Sequence, residues 1–310
     1  MKIALIVKGN VSRRREFDGE LLQLRANFPH AEISVLESTY AGHSQALAEA
    51  CCGQCEYMIA VGGDGTLNEV LNGCLRSSAE LPCFGALAHG TANDVLRSLH
   101  LNGSMEELCA MIRDGREQTI DIGHVVCRDD AGAELRRYFI NIADIGIGAE
   151  VVQHLNQQHR LLGSNLHYLR AIIKTFAGYH KRDLSVTSDR GLNWQGKALA
   201  LVAANGQFFG SGLCVAPGAA LNDGQLFITL VGDASLADFA MNLRRLKKGR
   251  LLDHPEASYH HACRLDIETT GDSAPLEVDG EFLGFTPAAI EVLPQKIRFL
   301  GPPCDTTNSL

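Results

Sequence analysis

The chain has 310 residues, 45% of them hydrophobic and 21% charged, with a net charge of −8 and a pI near 5.8. That length exceeds the usual single-domain range of roughly 100–200 residues, so two domains are expected. The acidic balance argues against nucleic acid as a partner held on a basic surface, and against bulk attraction to anionic membranes.

No apolar run approaches the ~20 residues needed to cross a bilayer, so no transmembrane segment is expected. Ile3 to Val7 are too short for a signal peptide and are soon followed by arginines. The ten cysteines lack framework spacing and read as reduced thiols, which makes a cytoplasmic protein the expectation. One Cys-x-x-Cys pair, Cys52 and Cys55, has no second ligand pair at zinc-site spacing. The basic runs Ser12 to Arg15 and Arg244 to Arg250 read as solvated faces.

The first 120 residues alternate apolar runs with amphipathic stretches. "IALIV" (3–7), "ISVL" (33–36), "YMIAV" (57–61) and "CFGALA" (83–88) read as buried strands, with "FDGELLQLRANF", "SQALAEACC" and "TLNEVLNGCLRS" as the helices between them. This order predicts a three-layer α/β domain with a parallel sheet, whose ligands bind beyond the carboxyl ends of the strands. After residue 120 the chain is strand-like and turn-punctuated. "TIDIGHVVCR", "RRYFINIADIGIG", "DLSVTS", "KALALVAANG", "QLFITLVG", "RLDIETT", "LEVDGEFLG" and "IEVLPQKIRFL" read as strands, and only 149–178 and 235–248 as helix. We therefore expect an α/β nucleotide-binding domain over 1–122 and a β-rich sandwich domain over 123–310, whose C-terminal tail is left free to return to the first.

Two glycine loops carry the chemistry. "AVGGDGTLNEV" places Gly62, Gly63 and Gly65 around Asp64 where a strand ends, and Thr66 with Glu69 has capping-box spacing for a helix start. "ALAHGTANDVLRSL" repeats the design, with Gly90 after a strand and Thr91 with Asp94 at cap spacing. Glycine loops feeding helix N-termini at neighbouring strand ends suit a phosphate. Asp64 repels an anion by itself, so its use requires Mg²⁺ or a hydroxyl proton to accept. G-x-x-x-x-G-K-[ST] and G-x-G-x-x-G are missing from the strand ends, and "GSGLC" around Ser211 fails the G-x-S-x-G elbow.

Two later turns stay open between bland and functional readings. "LEVDGEFLG" is a two-residue hairpin at Asp279 and Gly280, or a tip whose Asp279 and Glu281 reach a phosphate site. "ALNDGQL" is an Asx-type turn, or a hard-cation site built on Asp223 and neighbouring carbonyls. The segment from about 149 to 180 is a core-packed helix, or one flank of an apolar lipid slot.

In this order "VGGDGTLNEV", "GTANDVLRSL", "IDIGHV", "INIADIGIGAE", "WQGKALALVAANGQFFGSGLCVAPGAALNDGQLFITLV" and "LEVDGEFL" span nearly the whole chain. Together they resemble the diacylglycerol kinase catalytic-domain family, in particular the soluble bacterial lipid kinases of the YegS type. The resemblance implies an α/β domain like that of phosphofructokinases and NAD kinases, a β-rich domain, and ATP between them. It places ATP phosphates on Gly62, Gly63, Asp64, Gly65, Thr66, Leu67 and Asn68, and further nucleotide contacts on Ser38, Gly90, Thr91, Asn93 and Asp94. Glu281 matches the proton acceptor, with Asp279 beside it and Asp64 organising Mg²⁺ or the hydroxyl; Asp94 and Asp121 are supporting carboxylates. Asp223 with the carbonyls of Ala220 and Gln225 matches a Mg²⁺ site in the β domain, where Ca²⁺ is the substitute.

Two positions depart from the family. An Asn-Pro-x-Ser/Ala-Gly loop is replaced by "IVKGNVSRRREF", where Lys8 or Arg13 to Arg15 are the substitutes, and Ala88 replaces a proline ahead of Gly90. The expected reaction is ATP-dependent phosphorylation of a lipid hydroxyl, on diacylglycerol, phosphatidylglycerol or a related lipid, with transient peripheral contact at the membrane surface. An NAD kinase-like enzyme and a catalytically silent nucleotide or lipid sensor are the alternatives. A homodimer is left open.

Overall fold

The computed structural model describes residues 1–9, 14–157 and 178–302. It divides into two compact units, Met1–Ile122 with Pro294–Leu310, and Gly123–Leu293.

The first unit holds β1 (Lys2–Val7), α1 (Arg14–Asn27), β2 (Glu32–Glu37), α2 (His43–Cys51), β3 (Tyr57–Gly62), α3 (Asp64–Arg76), β4 (Cys83–Ala88), α4 (Asp94–Ser98) and α5 (Met105–Asp114). β1 pairs in parallel with β2 and β3, and β3 with β4, as the apolar runs predict. The returning chain adds a further parallel partner, Arg298 and Phe299 lying beside Cys83 and Phe84. Strand side chains alternate between faces. Ile3, Leu5 and Val7 therefore share one core with Phe17 and Leu24 of α1 and Met105 and Leu108 of α5. The other layer is α2 against α3. Their axes approach so closely that a Cβ at Gly73 would strike the backbone of Gln45 and Glu49.

β5 (Glu117–Arg128) leads into the second unit, which holds β6 (Glu134–Phe139), β7 (Ile142–Gly146), α6 (Ile147–Gln157), β8 (Arg182–Ser188), β9 (Asn193–Ala198) and β10 (Ala200–Ala204). There follow β11 (Phe208–Phe209), β12 (Leu213–Cys214), β13 (Leu226–Val231), α7 (Leu236–Leu246), β14 (Ala257–Ala262), β15 (Arg264–Thr269), β16 (Pro275–Val278) and β17 (Glu281–Leu300). Antiparallel pairing orders one ladder as β14, β13, β10, β7, β16. β15 joins β17 to β8, and β8 pairs β9. Val125, Ile145, Leu201, Ile228, Leu265 and Ile290 belong to the core of this unit.

Several boundaries differ from the sequence reading. "RRYFINIADIGIG" breaks into β6 and β7 because the amides of Ile140, Asn141 and Ile142 turn toward one carboxylate, that of Asp279. "KALALVAANG" breaks at Leu199, whose N–H is shared between the carbonyls of Val231 and Gly232. The second half of "LEVDGEFLG" and "IEVLPQKIRFL" merge into the single strand β17. Of the helix read over 149–178, the part through Gln157 is α6; residues 158–177 lie outside the described residues. α5, β11, β12 and β14 are not among the elements read from the sequence. α5 opens on a Ser104 cap, whose Oγ accepts from Glu107 N at 3.2 Å, while Glu107 Oε2 reaches past the cap to accept from Asn102 and Gly103 N at 2.9 and 3.0 Å and Ser104 N itself donates to Asn102 Oδ1 at 2.8 Å.

Cys52 Sγ rests 3.8 Å from the carbonyls of Cys74 and Glu80, and Cys55 Sγ 3.9 Å from that of Cys51. Burial pushes the Cys55 thiol up to about 11, so it stays protonated at neutral pH.

Candidate functional site

In the first unit, the loops that carry the nucleotide-contact candidates leave the carboxyl ends of parallel strands. Gly9 follows β1, Ser38 follows β2, Gly63 and Asp64 follow β3, and Gly90 to Asn93 follow β4. An open α/β sheet collects ligands along that edge. Ser38 is buried and its Oγ accepts the Gly9 N–H at 2.9 Å, which leaves the hydroxyl proton to donate.

The two glycine loops touch backbone to backbone. A Cβ on Gly63 would lie 3.1 Å from Gly90 Cα; one on Gly90 would overlap Gly63 Cα and stand 2.7 Å from Asn93 Oδ1. His89 N donates to the Gly62 carbonyl at 3.0 Å, and Asn93 Nδ2 to the Gly90 carbonyl at 3.1 Å. Only residues without a side chain permit this approach. Gly90→Ala is therefore expected to push the loops apart, at an overpacking cost of about 1–3 kcal/mol in stability. Urea unfolding of the variant checks it.

Asp64 is the first residue of α3, and its carboxylate spans the two loops. Oδ2 accepts Asp94 N and Oδ1 accepts Val95 N, both at 3.1 Å, so Asp64 caps α4 from a distant point in the chain. The capping boxes expected at Thr66 and at Thr91 are corrected by this arrangement. α3 begins two residues earlier, at Asp64, with Gly63 as its cap. Thr66 is buried against Gly62, while Glu69 Oε1 accepts Gly42 N at 3.2 Å. α4 begins at Asp94 behind Asn93, whose φ of 52° is left-handed, and Thr91 is exposed on the loop. Leu67 lies in the core, and Asn68 accepts from Asn72 Nδ2, so both side chains serve the helix. What α3 presents at its start is the N–H groups of its first turn, which lack intrahelical acceptors by construction.

Asp94 is buried, with Oδ1 3.6 Å from Arg97 Nε, and Asp121 Oδ1 accepts Gln295 N at 2.6 Å. In the replaced first loop Lys8 is exposed. Arg14 is bound to Glu37 at 2.6 Å and to Asp18 at 3.3 Å, while Arg13 lies outside the described residues.

The second unit carries the Asp-Gly-Glu turn. Asp279 and Gly280 have φ of 48° and 84°, both left-handed, and join β16 to β17 with Val278 opposite Glu281. The hairpin reading is thus met. The Asp279 carboxylate is buried and accepts three backbone N–H groups, from Ile140, Asn141 and Ile142, each at 3.0 Å. Those bonds hold the turn against the start of β7. Glu281 is half-exposed, with Arg137 Nη2 of β6 3.8 Å from Oε2.

Beneath the turn lie two carboxyl groups that the sequence reading passed over, Asp144 and Glu277, both buried. Glu277 Oε2 accepts Gly280 N at 2.7 Å. The available signal was a charged residue at an inward position of an apolar strand, in "INIADIG" and in "PLEV". Nothing in the sequence marks Arg137.

Asp223 sits in the turn before β13. Its Oδ1 accepts Gln225 N at 3.0 Å and Gly224 has φ 71°, the geometry of the Asx-type turn. A carboxylate with the carbonyls of Ala220 and Gln225 is an all-oxygen donor set of the kind Mg²⁺ and Ca²⁺ take. No cluster of three or more His, Cys, Asp or Glu side chains at metal-binding distance occurs among the described residues.

A parallel α/β unit and a β-rich unit in this order are also the fold of solved diacylglycerol and NADH kinases. A crystal structure of a diacylglycerol kinase from Bacillus anthracis str. Sterne superposes with a TM-score of 0.70 at 19% identity, over 97% of this chain and 96% of that one. Yeast NADH kinase complexed with NADH gives 0.57 at 11%, over 99% and 84%. Residues 4–125 match the diacylglycerol kinase catalytic domain, and 141–301 the YegS C-terminal NAD kinase beta sandwich-like domain. The diacylglycerol kinase of Bacillus subtilis is 28% identical over 307 residues, 97% of each chain, and that of Staphylococcus epidermidis 30% over 257, 80% of this chain and 74% of the other. The chain belongs to the diacylglycerol kinase family.

Proposed function

We propose that this protein transfers the γ-phosphoryl group of ATP to a lipid hydroxyl, with diacylglycerol the first substrate to test and phosphatidylglycerol or a related lipid the next. The observation that carries the reading is the pair of glycine loops locked together by Asp64, in a chain that also bears the Asp-Gly-Glu turn. Phosphoryl transfer is mostly positioning and charge neutralisation, which suits backbone amides better than a covalent nucleophile.

In this reading the first turn of α3, from Gly63 to Thr66, receives the phosphates, with Ser38, Gly90 and Thr91 contacting the rest of the nucleotide. Asp64 would hold a Mg²⁺, since its two oxygens accept one backbone amide each, from Asp94 and Val95, and a carboxylate oxygen has a second lone pair to offer. That cation would neutralise charge on the transferring phosphoryl group. Glu281 accepts the proton of the lipid hydroxyl; Arg137 stabilises it as the carboxylate, and Asp279 fixes its backbone. Asp223 with Ala220 and Gln225 would hold a second cation, Mg²⁺ or Ca²⁺, in the β unit.

No described helix is long and apolar enough to cross a membrane. In this reading the lipid is met at the membrane surface. The test is incubation with Mg²⁺ and γ-labelled ATP against mixed micelles of diacylglycerol, phosphatidylglycerol, ceramide or sphingosine, with NAD in a parallel arm. A labelled lipid is the expected product. Labelled NADP would replace the reading with NAD phosphorylation, and ATP binding with no labelled product would replace it with a silent sensor.

A further inference from the structure

Asp144 and Glu277 are directly opposite each other on the antiparallel strands β7 and β16. Such partners point to the same face, with Cβ atoms about 4.5–5.5 Å apart, and like charges there repel. Both are buried, Glu277 at 0% and Asp144 at 4% exposure. Each keeps one oxygen, Asp144 Oδ1 and Glu277 Oε1, without a hydrogen-bond partner among the described residues. Their other bonds are to backbone: Asp144 accepts from Ala149 in the first turn of α6 and from Ile145, and Glu277 Oε2 from Gly280.

Among the described residues, the charged groups around them do not relieve the repulsion. Glu277 is faced by Asp144, Asp279 and Glu281, all acidic. Asp144 is faced by Glu277 and by the Tyr179 hydroxyl, which is itself near Glu150 and Arg182; His154, His180 and Arg182 act on Glu150. Two buried carboxylates in this position cannot both ionise cheaply, and a buried group in that situation keeps its proton.

We propose that Asp144 and Glu277 hold one proton between them as a carboxylic acid–carboxylate pair, and that the pair positions the Asp279–Gly280 turn, and so Glu281, through the Glu277–Gly280 hydrogen bond. A single O–H···O⁻ bond between Asp144 Oδ1 and Glu277 Oε1 gives both orphaned oxygens a partner, and such charge-assisted bonds are short and strong. Burial pushes Asp144 up to about 7, and burial with the neighbouring Asp144 charge pushes Glu277 well above the carboxylate range. The ionisations belong to the pair rather than to either residue. The positioning half of the proposal rests on the phosphotransfer reading, whereas the shared proton does not.

The sign of the pH effect follows from the raised folded-state affinity for protons. The stability contribution is complete below the unfolded carboxyl pKa of about 4 and is lost as pH rises toward the pair's own range, beginning with about 7 for Asp144. Thermal unfolding of wild type, Asp144→Asn and Glu277→Gln across that window reads the proton. The expected result is a midpoint that falls with rising pH in wild type and a shallower slope in each variant. Superimposable slopes would overturn the shared proton, whatever the enzyme's activity, and either near-isosteric variant alone decides it.

The pH profile of kcat on diacylglycerol reads the positioning. An alkaline loss of kcat in wild type, displaced by about one pH unit or more in Asp144→Asn with KM for ATP little changed, is expected. An undisplaced profile would remove the positioning role while leaving the shared proton standing. Absence of lipid phosphorylation by wild type would contradict the phosphotransfer reading and, with it, the positioning role alone.

Discussion

Glu281→Gln is expected to lower the rate of lipid phosphorylation by about 10²–10⁴-fold while leaving ATP affinity and unfolding midpoint close to wild type. The amide keeps the size of the side chain and loses only the capacity to take a proton. The loss of stability should be small, because Glu281 is half-exposed and its ion pair with Arg137 spans 3.8 Å. Arg137 is only 16% exposed, but with one partner open to solvent and at that distance the pair contributes about 0–1 kcal/mol. Steady-state rates with urea unfolding of the same preparation separate the two effects. Full turnover in the variant would remove Glu281 as proton acceptor.

Asp279→Ala is expected to act through folding instead. Asp279 stands two residues before Glu281, yet its carboxylate is buried and accepts three backbone amides that have left the strand ladder between β6 and β7. Leaving a buried donor unsatisfied costs about 1–3 kcal/mol, so the loss should exceed about 3 kcal/mol. The left-handed backbone at φ 48° adds to it, since alanine tolerates that region less well than aspartate. Asp279→Asn keeps one acceptor oxygen and a residue suited to the turn, and should recover part of the loss. Urea unfolding of the three proteins checks the order. A cost under about 1 kcal/mol for alanine would mean that the three amides find other acceptors.

The parallel sheet was legible because strands buried on both faces are continuous apolar runs; "IALIV" and "YMIAV" admit few other readings. The Asp-Gly hairpin was legible because its turn chemistry is local. Failures arose where a distant residue supplies the hydrogen bond. Thr66 and Thr91 have the spacing of helix caps, but Asp64 reaches 30 residues along the chain to the amides of α4 and makes a threonine cap there unnecessary. The break after Phe139 is set by Asp279, 138 residues from Asn141. No window of sequence contains both partners. α5 is a different case, since the residues of its cap, Ser104 and Glu107, are both local, in "SMEE".

The candidate site divides in the same way. Gly62, Gly63, Asp64 and Gly90 stand out by residue type, and their contact follows from the adjacency of β3 and β4. Asp144 and Glu277 lie within "INIADIGIGAE" and "LEVDGEFL", but the sequence assigns neither a role. Their meaning emerges only from strand register, which places one opposite the other.

The most direct measurement is the initial rate of γ-phosphoryl transfer from ATP to diacylglycerol in mixed micelles with Mg²⁺, for wild type beside Glu281→Gln, with ATP binding determined for both. The account predicts labelled phosphatidic acid from wild type, a rate lower by about 10²-fold or more in the variant, and equal ATP affinity. Equal rates in the two proteins, or label appearing in NADP when NAD is supplied and never in lipid, would contradict it.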